Sequence, residues 1–219
     1  RERGIPQLGS GLVFPIAEED ILCDPIDIPQ HWPRLCGIDF GWDHPTAVVW
    51  IAWDRDTDTV YVYDCYAMRQ ETVPVHASAI NAKGKWIPVV WPMDGRQADK
   101  GSGKNLTDQY KRENVNMLRE HFSNPPANGM KEGTGGNSVE AGIMEILTRM
   151  QTKRLKIFKN QGKLLEELRM YHRKDGKIVP AHDDVISAMR YCVMSLRKAR
   201  VKNYQPLQIQ TDSEFNVFN

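Results

Sequence analysis

Three runs of apolar, β-branched and aromatic residues, Leu35–Phe40, Ala47–Trp53 and Val60–Tyr66, succeed one another with only short charged turns between them. Residues of this kind in runs of this length favour strands. Asp54-Arg55-Asp56-Thr57-Asp58 has the composition of a hairpin tip. The chain is therefore expected to build a three-stranded antiparallel meander with its first strand leading.

Past the meander, helix and strand signals alternate. Thr72–Ala82 reads as a short helix, with Pro74 tolerable only in its first turn. Ile87–Trp91 is unbroken in its apolar character and reads as a buried fourth strand. Leu106–His121 is expected to be a helix opened by Asn105, and the Gly- and Pro-bearing stretch 123–137 a loop. Ser138 is expected to cap a helix running to Met150, with Ile143, Ile146, Leu147 and Met150 on one face. Leu155–Phe158 reads as a fifth strand, Lys163–Tyr171 as a helix and Lys174–Lys177 as a turn. A last helix starts near Asp183. A meander and then alternating units describe an α/β fold, a mixed sheet covered by helices.

At 219 residues and 41% hydrophobic content, one globular domain is expected. Residues 1–33, with five prolines, read as an extended opening segment or hairpin, 34–198 as the domain, and 199–219 as a patternless tail ending on Phe215, Val217 and Phe218. The start at Arg1 suggests a piece of something longer. Cys23, Cys36, Cys65 and Cys192 are scattered without a C-x-x-C pair, so a zinc site or disulfide framework is not expected and a reducing cytoplasm is the simpler setting. No apolar run approaches the length of a membrane-spanning helix. Charge is uneven: residues 1–94 carry 7 Lys+Arg against 14 Asp+Glu (−7), and 95–219 carry 22 against 14 (+8), which sum to +1. An enzyme that holds cations and grips a polyanion would suit this division, and so would chance asymmetry on solvated surfaces.

Several carboxylates lie at structural edges. Asp39 interrupts the apolar first strand, Asp94 ends the fourth, and Asp183 and Asp184 open the last helix. A carboxylate inside a strand is costly to bury unless something pairs with it. Acids converging from distant parts of the chain make an oxygen-rich cage for hard divalent cations. Two such ions about 4 Å apart can activate water for phosphodiester hydrolysis. Singly, each residue also has a plainer role: Asp39 or Asp94 in a turn, Asp183 or Asp184 as the N-cap.

Gly37-Ile38-Asp39-Phe40-Gly41-Trp42-Asp43-His44-Pro45, Trp91-Pro92-Met93-Asp94-Gly95, and His182-Asp183-Asp184 ahead of Ser187-Ala188-Met189-Arg190-Tyr191 together resemble the nuclease domain of phage large terminase subunits. The phages concerned are tailed, double-stranded DNA phages, of the headful-packaging, short-tailed type. The resemblance extends to Gly9–Pro15, Ser138–Ile143 and Glu167–Tyr171. It implies a ribonuclease H-like endonuclease that cuts concatemeric double-stranded DNA during packaging in the host cytoplasm. It also implies that Asp39, Asp94 and an aspartate of the 183–184 pair bind two Mg2+ or Mn2+ ions. Many relatives carry a further aspartate where this chain has Ser187, so which of Asp183 and Asp184 ligates directly stays open. Asp43 and His182 are candidates to support the ligands.

The portal protein and the small terminase subunit are the implied partners. The motor ATPase is not expected within this fragment, because Gly101-Ser102-Gly103-Lys104-Asn105 fails the phosphate-loop pattern. Among the many basic residues, Arg96, Lys100 and Lys104, just past Asp94, are the candidates for touching DNA, by its backbone rather than its bases. Two alternatives stand beside this reading: another nuclease of the same fold, such as a junction resolvase, and a non-catalytic docking module for the portal.

Overall fold

The computed structural model describes residues 11–96, 105–124 and 138–202. Its helices are α1 (Glu18–Ile21), α2 (Val73–Ala82), α3 (Leu106–Arg112), α4 (Val139–Gln151), α5 (Gly162–Met170) and α6 (Asp184–Met194). Its strands are β1 (Leu22–Cys23), β2 (Arg34–Asp39), β3 (Thr46–Asp54), β4 (Thr59–Met68), β5 (Val89–Val90) and β6 (Leu155–Phe158), with a small hairpin of β7 (Arg173–Lys174) and β8 (Lys177–Ile178).

β2, β3 and β4 form the expected antiparallel meander, and its tip is held as the sequence suggests. Asp54 accepts bonds from the Asp56 amide at 3.1 Å and the Thr57 hydroxyl at 2.6 Å. Parallel strands then flank the meander, giving a six-stranded mixed sheet in the order β1-β6-β4-β3-β2-β5. Alternate residues serve opposite faces, because side chains in a strand point up and down in turn. Leu35, Val49, Ile51 and Val62 pack under α4, α5 and α6, whereas Cys36, Ile38, Val48 and Trp50 pack under α2 and α3. Both faces are covered, so β3 is buried along nearly its whole length.

The helix expected over 106–121 stops at Arg112. Asn114 takes a left-handed φ of 61°, and the chain beyond it runs beside β5, where the Leu118 amide donates to the Val89 carbonyl at 2.9 Å. Val115 and Met117 fill the second core from this extended segment. Asparagine tolerates the left-handed turn that a continuing helix forbids. Asn105 does cap α3, accepting the Asp108 amide at 2.7 Å, but the Ser138 side chain makes no cap bond to α4.

Val13, Phe14 and Ile21 are buried in the core under α4–α6, and β1 extends the sheet beyond β6, so residues 13–23 are integral to this fold. At the other end, Ala199 is buried and Arg200 exchanges backbone bonds with Arg34 at 2.7 and 3.0 Å. The rest of the expected tail, 203–219, lies outside the described residues. Among the described residues no helix is long and apolar enough to cross a membrane.

Candidate metal centre

Strand parity decides where Asp39 points. Leu35, Gly37 and Asp39 share the face that meets α6, which lies across β2 and β3 with Val185, Ala188, Met189 and Cys192 buried. The approach is close. A Cβ at Gly37 would collide with the Ala188 carbonyl and with Cys192 Sγ, so only glycine lets the helix settle here. Seated at that depth, α6 places the Tyr191 hydroxyl where it donates to Asp39 Oδ1 at 3.1 Å.

β5 runs parallel to β2, with Cys36 opposite Val89 and Gly37 opposite Val90, so the chain leaving β5 emerges beside the end of β2. Asp94 sits in the short 3-10 turn after it, Met93–Arg96. From the other side, the start of α6 brings Asp183 as its N-cap residue and Asp184 as its first helical residue. Three chain segments far apart in sequence thus deliver four carboxylates to one end of the sheet.

Their electrostatics report the crowding. Burial, then the negative charges of Asp94, Asp184 and Asp183, push the Asp39 carboxyl up to about 7, against a counteracting bond from Tyr191. Asp183 is raised by burial and by Asp184. Asp184 is raised by burial, opposed by the charges of His44, Arg69 and His182. Asp94, exposed at the rim, is raised by partial desolvation. A carboxylate that loses water resists ionisation, as all four do, and one that also gains carboxylate neighbours, as Asp39 and Asp183 do, resists it further. Among the described residues none of the four is in an ion pair. Nor, among the described residues, do three or more His, Cys, Asp or Glu side chains stand close enough together to hold a metal ion as they are. Asp39 feels the charge of the other three across the sheet end.

The N-cap aspartate behaves unusually. Asp at this position commonly accepts from the second or third amide of its own helix, yet Asp183 makes no such bond. Those two amides, of Val185 and Ile186, instead donate to Glu167 Oε2 of α5 at 2.9 and 3.1 Å. Glu167 is 1% exposed, and burial raises its carboxyl to about 7 in spite of those bonds.

Of the supporting residues expected from sequence, His182 is exposed and takes a left-handed φ of 55° just before α6. Asp43 is exposed in the β2–β3 loop, and it is the adjacent His44 whose charge reaches Asp183 and Asp184. Arg96 is exposed two residues past Asp94, and Lys100 and Lys104 lie outside the described residues. Glu167, Tyr191 and His44 lie in the stretches that carry the resemblance but were not read as site residues, and Arg69 was not noted. Two of them carried a signal: Tyr191 lies seven residues, two helical turns, beyond Asp184, and Glu167 lies three beyond Leu164 on the buried stripe of α5. Beyond Asp94 opens a cleft of 610 Å³ lined by Phe40, Trp42, Glu71, His76 and Tyr110.

Comparison with known proteins identifies the family. Residues 36–196 match the family described as the terminase RNaseH-like domain. The large terminase subunit of Salmonella phage P22 is 41% identical over 202 residues, 92% of this chain and 39% of that protein. The chain thus spans about two fifths of that relative. The solved nuclease domain of the P22 large terminase superposes with a TM-score of 0.78 at 39% identity, covering 89% of this chain and 97% of that one. The large terminase nuclease of thermophilic phage G20c, solved with bound cobalt, gives 0.57 at 16% identity, covering 85% and 98%, and shares the fold. With its ribonuclease H-like mixed sheet and its matched span running from β2 through α6, this chain belongs to the terminase RNaseH-like domain family of phage large terminase subunits.

Proposed function

We propose that this domain is a divalent-metal-dependent DNA endonuclease and that Asp39, Asp94, Asp183 and Asp184 are its metal-binding acids. The observation that carries the reading is the convergence of these four on one sheet end, with Asp39 raised to about 7 and no cation paired to any of them among the described residues. Such a site holds more negative charge than it can comfortably keep. The donors are all carboxylate oxygens, which fits hard ions such as Mg2+ or Mn2+, and metal-bound relatives of the same fold support divalent binding. Bound there, two ions would neutralise the acids, activate water and stabilise the departing oxygen in phosphodiester hydrolysis.

The protein's own residues prepare the place. Tyr191 orients Asp39, Gly37 lets α6 close on β2, and the turn after β5 sets Asp94 beside them. Of the basic residues proposed to hold phosphate, Arg96 is exposed next to Asp94. Several basic residues elsewhere are already paired with acids: Arg149 and Arg154 with Asp58, Lys159 with Asp24, and Arg173 with Glu140. In the longer protein the domain would cut concatemeric double-stranded DNA during genome packaging in the host cytoplasm. The motor ATPase would lie elsewhere in that polypeptide, and the portal and small terminase subunit would be its partners.

The test is nicking of supercoiled plasmid with Mg2+ or Mn2+, repeated with Asp39→Ala. Cutting by the parent and none by the variant supports the reading. A parent domain that binds portal protein but never cuts under any divalent ion would leave the docking-module alternative in possession.

A further inference from the structure

We infer that Glu167 is a positioning residue that caps α6 from outside and thereby frees the carboxylates of Asp183 and Asp184 for a metal ion. The inference rests on the metal-site reading above and adds a residue to it. Helix N-termini leave amides without intrahelical partners, and an aspartate at the N-cap ordinarily folds back to take them. If Asp183 did so, its oxygens would be spent on its own helix. Glu167, three elements earlier in the chain, accepts both amides with one oxygen and removes the demand.

The residue lies on the buried side of α5. It is 1% exposed between Leu164, Leu165 and Leu168, which fill the core, while its neighbour Glu166 faces solvent. A carboxylate on a buried stripe is costly unless hydrogen-bonded. The two amides that meet this one belong to the two residues just after Asp184. The same contact fixes α5 against the start of α6, and so sets the height at which Asp183 and Asp184 stand beside Asp39.

With Glu167→Ala, the orphaned amides are expected to recapture the Asp183 side chain and withdraw it from the cluster. Supporting residues of metal ligands typically cost about 10- to 100-fold in metal affinity when removed. The test measures Mn2+ binding by paramagnetic resonance of free Mn2+, with no nucleic acid present. E167A should weaken binding by about tenfold or more, whereas Glu167→Gln, whose amide oxygen still accepts both bonds, should bind close to the parent. Leu165→Ala, which hollows the same helix without touching the amides, controls for general destabilisation and should bind like the parent. Asp183→Ala added to E167A should weaken binding far less than Asp183→Ala alone, because the ligand has already left. A parent that binds Mn2+ equally with and without Glu167, a loss shared by Leu165→Ala, or additive effects of E167A and Asp183→Ala would each overturn the inference while leaving the metal site standing. A parent that binds no Mn2+ overturns the metal site and this inference together.

Discussion

Replacing Asp39 by asparagine should make the metal-free domain more stable, not less. In the native state Asp39 is raised from 3.8 to about 7, chiefly by burial and then by Asp94, Asp184 and Asp183. At 1.36 kcal/mol for each tenfold change in acidity, that rise amounts to about 4 kcal/mol of disfavour for the charged form. Coupling among the acids and local relaxation reduce it, and about 2 kcal/mol is the working figure.

The pH dependence is set by which state holds the proton. Between about pH 4 and pH 7 the native state binds a proton that the unfolded chain has lost, so stability falls as pH rises through that window. Below it both states are protonated, and the term vanishes. Asparagine is neutral throughout and still offers Tyr191 an acceptor oxygen, so the variant escapes the penalty while keeping the bond. For a domain of this size, about 2 kcal/mol corresponds to a rise in Tm of about 4–8 °C. Thermal melts in chelator near pH 8 should show this gain, and melts near pH 5 should show less than half of it. An Asp39→Asn protein that melts at or below the parent near pH 8 would refute the picture of an uncompensated acid cluster.

Other consequences are as direct. Asp39→Asn and Asp94→Asn should each abolish metal-dependent nicking with the fold intact by circular dichroism. Tyr191→Phe removes a bond to a carboxylate, worth about 1.5 kcal/mol at its part-buried site. Denaturant unfolding should show that loss near pH 8, and less of it near pH 5, where Asp39 is protonated. Gly37→Ala should cost about 1–3 kcal/mol by forcing α6 off β2, measured the same way. Arg96→Ala should weaken DNA binding uniformly across sequences and lower the slope of log affinity against log salt by about 1. An unchanged slope would remove Arg96 from the DNA contacts.

The meander and the four clustered acids were legible for a shared reason: each is a break in, or an instance of, a strong local pattern. Asp39 shows because it ends an apolar strand, and Asp183 and Asp184 because they open an apolar helix. The end of α3 at Arg112 was not legible, because Val115, Met117 and Leu118 fit a helical stripe as well as an extended one until β5 is there to pair with them. Glu167 was hidden differently. In sequence it is one of two adjacent glutamates on an amphipathic helix, and only the arrival of α6 separates the buried one from its solvated neighbour. His44 and Arg69 act through space on residues more than a hundred positions away, a relation no local pattern carries.

Tyr191 and Asp39, joined by one hydrogen bond, are 152 residues apart. The β2–β4 meander is made of near neighbours and can form while the chain is still being synthesised, but the acid cluster cannot. Contacts of such separation form slowly, because the loop between them must be closed before anything is gained. A nascent chain that has emerged as far as β6 already owns Asp39 and Asp94, yet it lacks the helix that supplies the other two and the hydroxyl that steadies the first. The acid cluster is therefore among the last things this domain acquires, and a chain stalled or clipped before α6 would be folded in part and would lack it.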